Sequence, residues 1–188
     1  MGDIKKQRKK YATPRFPWRT DIMQAELKLI GEFGLRNKHE LWRNETMLST
    51  FRGTARSLVG RAPEERKKME GEILTRLKRL GVLPETAVLD DVLDLTIEDI
   101  LERRLQTLVL RKGLAKTAQQ ARQLITHGHI TIEGQRVKTP GHLVTKLEET
   151  QIEYMAQSAL ANANHPLRQT ITVAPQAEPG PEREGEQP

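Results

Sequence analysis

The sequence predicts an α+β protein: a basic extended arm, a mainly helical N-terminal part, a small module of helices with a short antiparallel β-sheet, and a disordered acidic C-terminal tail. Three observations carry this reading. Apolar residues recur at helical spacing through residues 20–108. A capped helix after Thr117 runs through His127-Gly128-His129 into β-branched residues divided by Glu133-Gly134. Both ends of the chain are too polar to bury a core of their own.

In order along the chain, residues 1–19 hold seven basic residues against Asp3 alone, interleaved with Tyr11, Phe16 and Trp18 and broken by Pro14 and Pro17. Such a segment is expected to stay extended and to order itself along phosphates, stacking its rings on bases. A first helix is expected over about residues 21–33, with Thr20 or Asp21 as cap, Ile22, Leu29, Ile30 and Phe33 as apolar positions and Gly34 as stop. A second should run over about 38–58, with Leu41, Trp42, Leu48 and Phe51 at core spacing and Arg36, Arg43, Arg52, Arg56 and Arg61 distributed around it. Trp42 reads as core, whereas Trp18, in the arm, is the better partner for a base. After Gly60, Pro63 and Glu64-Glu65 suit the start of a third helix that ends at Gly81.

The next segment is acidic: residues 85–102 hold seven carboxylates and no basic residue. Thr96-Ile97-Glu98-Asp99 is a plausible helix start, and this helix is expected to continue through Leu101, Leu105 and Leu108, carrying Arg103 and Arg104 into the module. Asp90, Asp91 and Asp94 lack a convergent set of further ligands, so they read as loop and helix-start charges rather than a metal site.

Within the module, Thr117 stands three residues before Gln120 and offers a capping box. Ala118, Ala121, Leu124 and Ile125 form one face of the helix that follows, while Gln119, Arg122, Gln123 and Thr126 form another. Gly128 can end the helix, Ile130, Ile132 and Val137 suit two short strands, and Glu133-Gly134 a tight turn between them. A further strand is expected around 150–154, then an irregular Ala- and Asn-containing segment, then the tail. The organisation is therefore arm 1–19, helical region 20–102, module 103–166 and flexible tail 167–188.

Charge indicates what the polar face of the module meets. Residues 103–146 carry nine Lys or Arg against the single acidic Glu133, so the net +6 of the whole chain conceals a separation of sign. A dense positive surface favours a polyanion, because Lys and Arg displace condensed counterions.

Arg103-Arg104-Leu105, Gly113-Leu114-Ala115, Ala121-Arg122-Gln123-Leu124-Ile125, His127-Gly128-His129-Ile130 and the closing Val137, Pro140 and Ile152 occur in an order that resembles the RNA-binding domain named after small-subunit ribosomal protein four. The flanks extend the resemblance. The opening GDIKKQRKKYATPRFPWR, with Leu35-Arg36-Asn37-Lys38 and Glu40-Leu41-Trp42-Arg43, resembles the archaeal branch of that ribosomal protein family, close to its eukaryotic counterpart, over roughly the first 160 residues. The resemblance implies a structural protein that binds the 5′ domain of small-subunit ribosomal RNA, nucleates assembly and supports decoding accuracy. It also implies neighbours among the small-subunit proteins, including universal small-subunit protein five.

On this reading the expected RNA-binding residues are Lys5, Lys6, Arg8, Lys9, Lys10, Arg15, Trp18 and Arg19 in the arm and Arg43, Arg52 and Arg56 in the second helix. In the module they are Arg103, Arg104, Lys116, Thr117, Gln119, Gln120, Arg122, Gln123, His127, His129, Arg136 and Lys138. Lys116, Arg122 and Lys138 would neutralise phosphate, and the glutamines would bond sugar or base edges. His127 and His129 read as structural or phosphate-facing, since an i, i+2 pair across a glycine is a poor metal signature. No cofactor or metal is expected. Bacterial members of the family often carry a cysteine-bound zinc, and this chain has no cysteine.

Length and composition restrict the alternatives. The 188 residues leave no room for an added catalytic domain of ordinary size, and 36% hydrophobic with 4% aromatic residues suits small helical units rather than one large core. No apolar run approaches the roughly 20 residues that span a bilayer, so no membrane association and a cytoplasmic site are expected. The same module occurs in RNA-modifying enzymes, but no phosphate-binding glycine motif, zinc-ligand set or cysteine nucleophile accompanies it here. A free RNA chaperone would use the module as well, without needing an archaeal-type arm.

Overall fold

In a computed structural model of the chain, residues 8–60, 62–162 and 164–172 are described here. Lys5, Lys6, Arg61 and the tail from residue 173 onward lie outside them.

The three expected N-terminal helices form: α1 (Thr20–Glu32), α2 (Lys38–Val59) and α3 (Pro63–Leu80). Local chemistry sets their ends. The Asn37 side chain accepts the Glu40 backbone N–H and so caps α2, Pro63 occupies the first turn of α3, and Gly81 closes α3 in a left-handed conformation. The acidic segment follows as α4 (Asp91–Asp94) and α5 (Ile97–Glu102), the latter started by a reciprocal Thr96–Asp99 capping box. Asp91 accepts the Val88 backbone N–H at 2.8 Å, a turn-making role.

The helix expected to run from Thr96 through Leu108 is interrupted. Arg104 is extended, with φ −74° and ψ 141°, and α6 (Leu105–Arg111) starts afresh after it. Tertiary pairing overrides helical propensity at this point. Arg104 forms a β-bridge with Leu143, the Leu105 N–H donates to the His142 carbonyl at 2.8 Å, and the Val144 N–H donates to the Arg103 carbonyl at 3.0 Å. The break folds residues 139–144 onto the module.

α7 (Ala118–His127) leads through Gly128 into β1 (Ile130–Ile132) and β2 (Gln135–Arg136), joined by a turn in which both Glu133 (φ 52°) and Gly134 (φ 76°) are left-handed. This is the geometry that matches the twist of a two-residue hairpin, and glycine adopts it without strain. The chain then forms α8 (Lys146–Thr150), which the sequence reading missed although Thr145 and Glu148 make a capping box, and β3 (Ile152–Tyr154). β3 lies antiparallel beside β1 in register Ile132↔Ile152, giving strand order β2-β1-β3. A 3-10 turn (Ala159–Ala161) and α9 (Pro166–Thr172) end the described chain, so residues 167–172 are helical rather than the beginning of a flexible tail.

Two apolar clusters organise these elements. One, within the module, joins Leu105, Val109, Ala121, Ile125, Ile130, Val144 and Ile152; the other joins Leu48, Ala55, Leu58, Leu77, Leu89, Val92 and Ile100 between α2, α3 and the acidic segment. A smaller set, Leu35, Leu41 and Leu101, lies where α2 meets α5. Small separate clusters leave polar contacts to hold the parts together, and one such set sits beside the expected site.

Candidate nucleic-acid interface

Thr117 caps α7, but the expected box is only half made, because the Gln120 side chain reaches the residue before the cap. The Gln120 N–H donates to Thr117 Oγ1 at 3.1 Å, and Gln120 Oε1 accepts the Lys116 backbone N–H at 2.7 Å. Thr117 and Gln120 therefore use their side chains to shape the helix start. Ala121, Leu124 and Ile125 are buried and fix the rotation of the helix. That rotation leaves Gln119, Gln123 and His127 exposed along one stripe, four residues apart, with exposed Lys116 just before the helix.

Beyond the helix, the Arg136 stem lies against Gly128, where an added Cβ would fall 2.8 Å from Arg136 Cδ. This contact brings an exposed guanidinium to the C-terminal end of the stripe, with exposed Lys138 two residues on. The His127 and His129 rings stack with centroids 6.3 Å apart; His129 is half-buried, its Nδ1 2.8 Å from Ser158 Oγ, whereas His127 is exposed. Among the described residues no group of three or more metal-ligating side chains occurs.

Arg103, Arg104 and Arg122 of the module point inward, whereas Arg111 is exposed and pairs with Glu102. Arg104 is 4% exposed and donates to Glu40 Oε2 at 2.6 Å; Arg122 reaches the same carboxylate, at 2.7 Å to Oε1 and 2.6 Å to Oε2. Burial lowers the Arg104 pKa from its ordinary value, and Glu40 works against that shift. Arg103 donates to Glu149 at 2.8 Å and to the Val144 carbonyl, and Arg52 of α2 donates to the Leu95 carbonyl. The Nε atoms of Arg52, Arg103, Arg104 and Arg122 are buried without a partner. These side chains support the surface from beneath, whereas Arg43 and Arg56 of α2 are exposed.

The arm meets α2 at Tyr11 and Ala12. The Ala12 N–H donates to Thr46 Oγ1 at 2.9 Å, and the Tyr11 ring meets His39 and Trp42 with centroids 4.8 and 6.0 Å away. Trp42 is half-buried rather than fully core, its indole N–H donating to Glu26 Oε1 at 2.8 Å. Arg8, Lys9, Lys10, Arg15 and Arg19 are exposed, and so is Trp18, at 86%. Arg19 pairs with Asp21 at 3.4 Å, both in solvent, a contact worth little.

Two residues that the sequence reading passed over prove central. Glu40 joins α2 to arginines 64 and 82 positions away, and fully buried Gln106 donates to the Gly34 carbonyl at 2.8 Å and the Ala118 carbonyl at 2.9 Å. No local pattern marks either. Only the absence of room at Gly34, whose missing Cβ would meet Ala118 Cβ at 2.6 Å, hints at the close approach.

The S4 domain matches residues 103–150, which contain α6, α7, the hairpin and α8. Over the longer chain, the small ribosomal subunit protein uS4 of Hyperthermus butylicus is 55% identical across 161 residues, covering 86% of this chain and 92% of that protein. The uS4 proteins of Thermoplasma volcanium and Thermoplasma acidophilum are 49% and 47% identical, covering 91% and 99% of this chain and 87% and 94% of their own lengths. Identity at that level, extending well beyond the module into the arm and the helical region, places this chain in the uS4 family of small ribosomal subunit proteins.

Proposed function

We propose that the protein is a structural constituent of the small ribosomal subunit that binds small-subunit ribosomal RNA and performs no chemistry. The observation that carries this is the exposed α7 stripe, set in an S4 domain and flanked by Arg136 and Lys138. Its positive and amide-bearing side chains suit a surface that reads RNA shape and backbone, with Lys116, Arg136 and Lys138 on phosphate and Gln119 and Gln123 on sugar or base edges. Arg43, Arg56 and the cations of the arm extend the footprint, and Trp18 offers a stacking face. Arg52, Arg103, Arg104 and Arg122 hold that surface in shape. The RNA is the 5′ domain, the binding nucleates assembly and supports accuracy, universal small-subunit protein five is a neighbour, and the particle works in the cytoplasm.

Binding of the purified chain to a 5′-domain transcript over a salt series tests this. Replacing Lys116 and Lys138 by Ala should weaken binding and flatten the slope of log affinity against log salt by roughly 0.7–0.9 per lost phosphate contact. An unchanged slope overturns the assigned contacts. In cell extract the chain should co-sediment with small subunits through a high-salt sucrose gradient; a wholly free pool would overturn the ribosomal role.

A further inference from the structure

We propose that Glu40 is a positioning residue for RNA recognition, a latch that takes Arg104 and Arg122 of the module onto α2 and so presents the two parts to RNA at one preset angle. This rests on the RNA-binding reading above.

Glu40 accepts both guanidiniums within 2.7 Å, and Arg104 is 4% exposed. Burying two arginines on one carboxylate leaves positive charge uncompensated, and the Nε atoms of both remain unpartnered. Such a cluster is a poor way to gain stability, since apolar residues of similar volume would serve at least as well. It does fix direction. Gln106 braces the same seam by holding the Gly34 and Ala118 carbonyls, and Gly34 leaves no space for the parts to slide.

Position on the helices gives the latch its consequence. On α2, exposed Arg43 lies three residues from Glu40; on α7, exposed Gln119 lies three residues from Arg122. Joining Glu40 to Arg122 therefore sets the cationic side of α2 beside the α7 stripe. Folded RNA, recognised by shape, gains from a surface already in place, whereas an unstructured polyanion needs only charge.

The test uses two variants of the full chain that change net charge in opposite directions. Glu40→Gln removes a negative charge, and Arg122→Gln removes a positive one. Both should bind the 5′-domain transcript about tenfold more weakly, a factor typical of a lost coupling. Neither should change the salt slope, and Glu40→Gln should bind polyuridylate as tightly as the parent or tighter. Transcript binding by Glu40→Gln that equals or exceeds the parent's overturns the latch. So does a slope reduced by about one unit in Arg122→Gln, which would put that guanidinium on phosphate. Should Glu40→Gln fail to fold, Arg122→Gln decides alone, because Glu40 then keeps Arg104. A parent chain that binds polyuridylate as well as the transcript overturns the RNA reading itself, and the latch's role falls with it.

Discussion

Gly34 shows how much one absent side chain can matter at a seam. It is left-handed, with φ 59°, and a methyl group there would lie 2.6 Å from Ala118 Cβ and 2.9 Å from Gln106 Nε2. Gly34→Ala combines backbone strain with a clash against packed neighbours, so urea unfolding should show a loss of about 2 kcal/mol or more. A loss below about 0.5 kcal/mol would mean that the seam yields easily. Glu45 gives a pH signature at the same scale. Burial, with the nearby Glu26 carboxylate adding to it, raises its pKa above the ordinary 4.5. The folded chain therefore holds that proton more tightly than the unfolded chain, so Glu45 disfavours folding at neutral pH and ceases to do so in acid. Glu45→Gln should raise the melting temperature at pH 7 and lose that advantage below pH 4.5. An advantage that persists unchanged in acid would contradict the assignment.

At the level of elements, what could be read in the sequence is what neighbouring residues decide. Pro63, Thr117 and the Gly81 and Gly128 stops lie within a few residues of the helix ends they set, and α1, α2, α3, α7 and the β1–β2 hairpin form at or near the expected positions. The break before α6 could not be read that way, because it depends on Arg104 bridging Leu143, 39 positions on. The latch was hidden for the same reason. Arg122 sits on a helix face that looks solvated until Glu40 arrives from α2. α8 is a different case: its Thr145–Glu148 box is local, but five residues are too few to leave a periodic apolar pattern. Local rules also locate a weak point within α3. Gly71 sits inside that helix, and nothing lies within 4 Å of where its Cβ would be. Gly71→Ala should stabilise the chain by about 1 kcal/mol in urea unfolding. A destabilised variant would mean that the helix is not the form adopted around Gly71.

Across the whole molecule, the acidic segment and the α7 stripe rest on different apolar clusters. The acidic segment buries Leu89, Val92, Leu95 and Ile100 in the cluster beneath α2 and α3 and leaves Asp90, Asp91, Asp94 and Glu98 exposed, while the α7 stripe rides on the module's own cluster. A nucleic acid gripped by the stripe would be repelled by those carboxylates if they faced it. Packing that segment away from the module's cluster allows a chain of net charge +6 to act at the stripe as a stronger polycation. Screening turns this into a measurable difference. The Debye length is about 8 Å at 0.15 M salt and about 30 Å at 0.01 M, so a remote carboxylate should be felt only in dilute salt. Asp90→Asn with Asp94→Asn should therefore change transcript affinity by less than about twofold at 0.15 M and tighten it perceptibly at 0.01 M. Asp91 is left in place because it holds the Val88 N–H. A tenfold gain for this variant at the higher salt would put the acidic segment against the RNA and reverse the proposed orientation of the molecule.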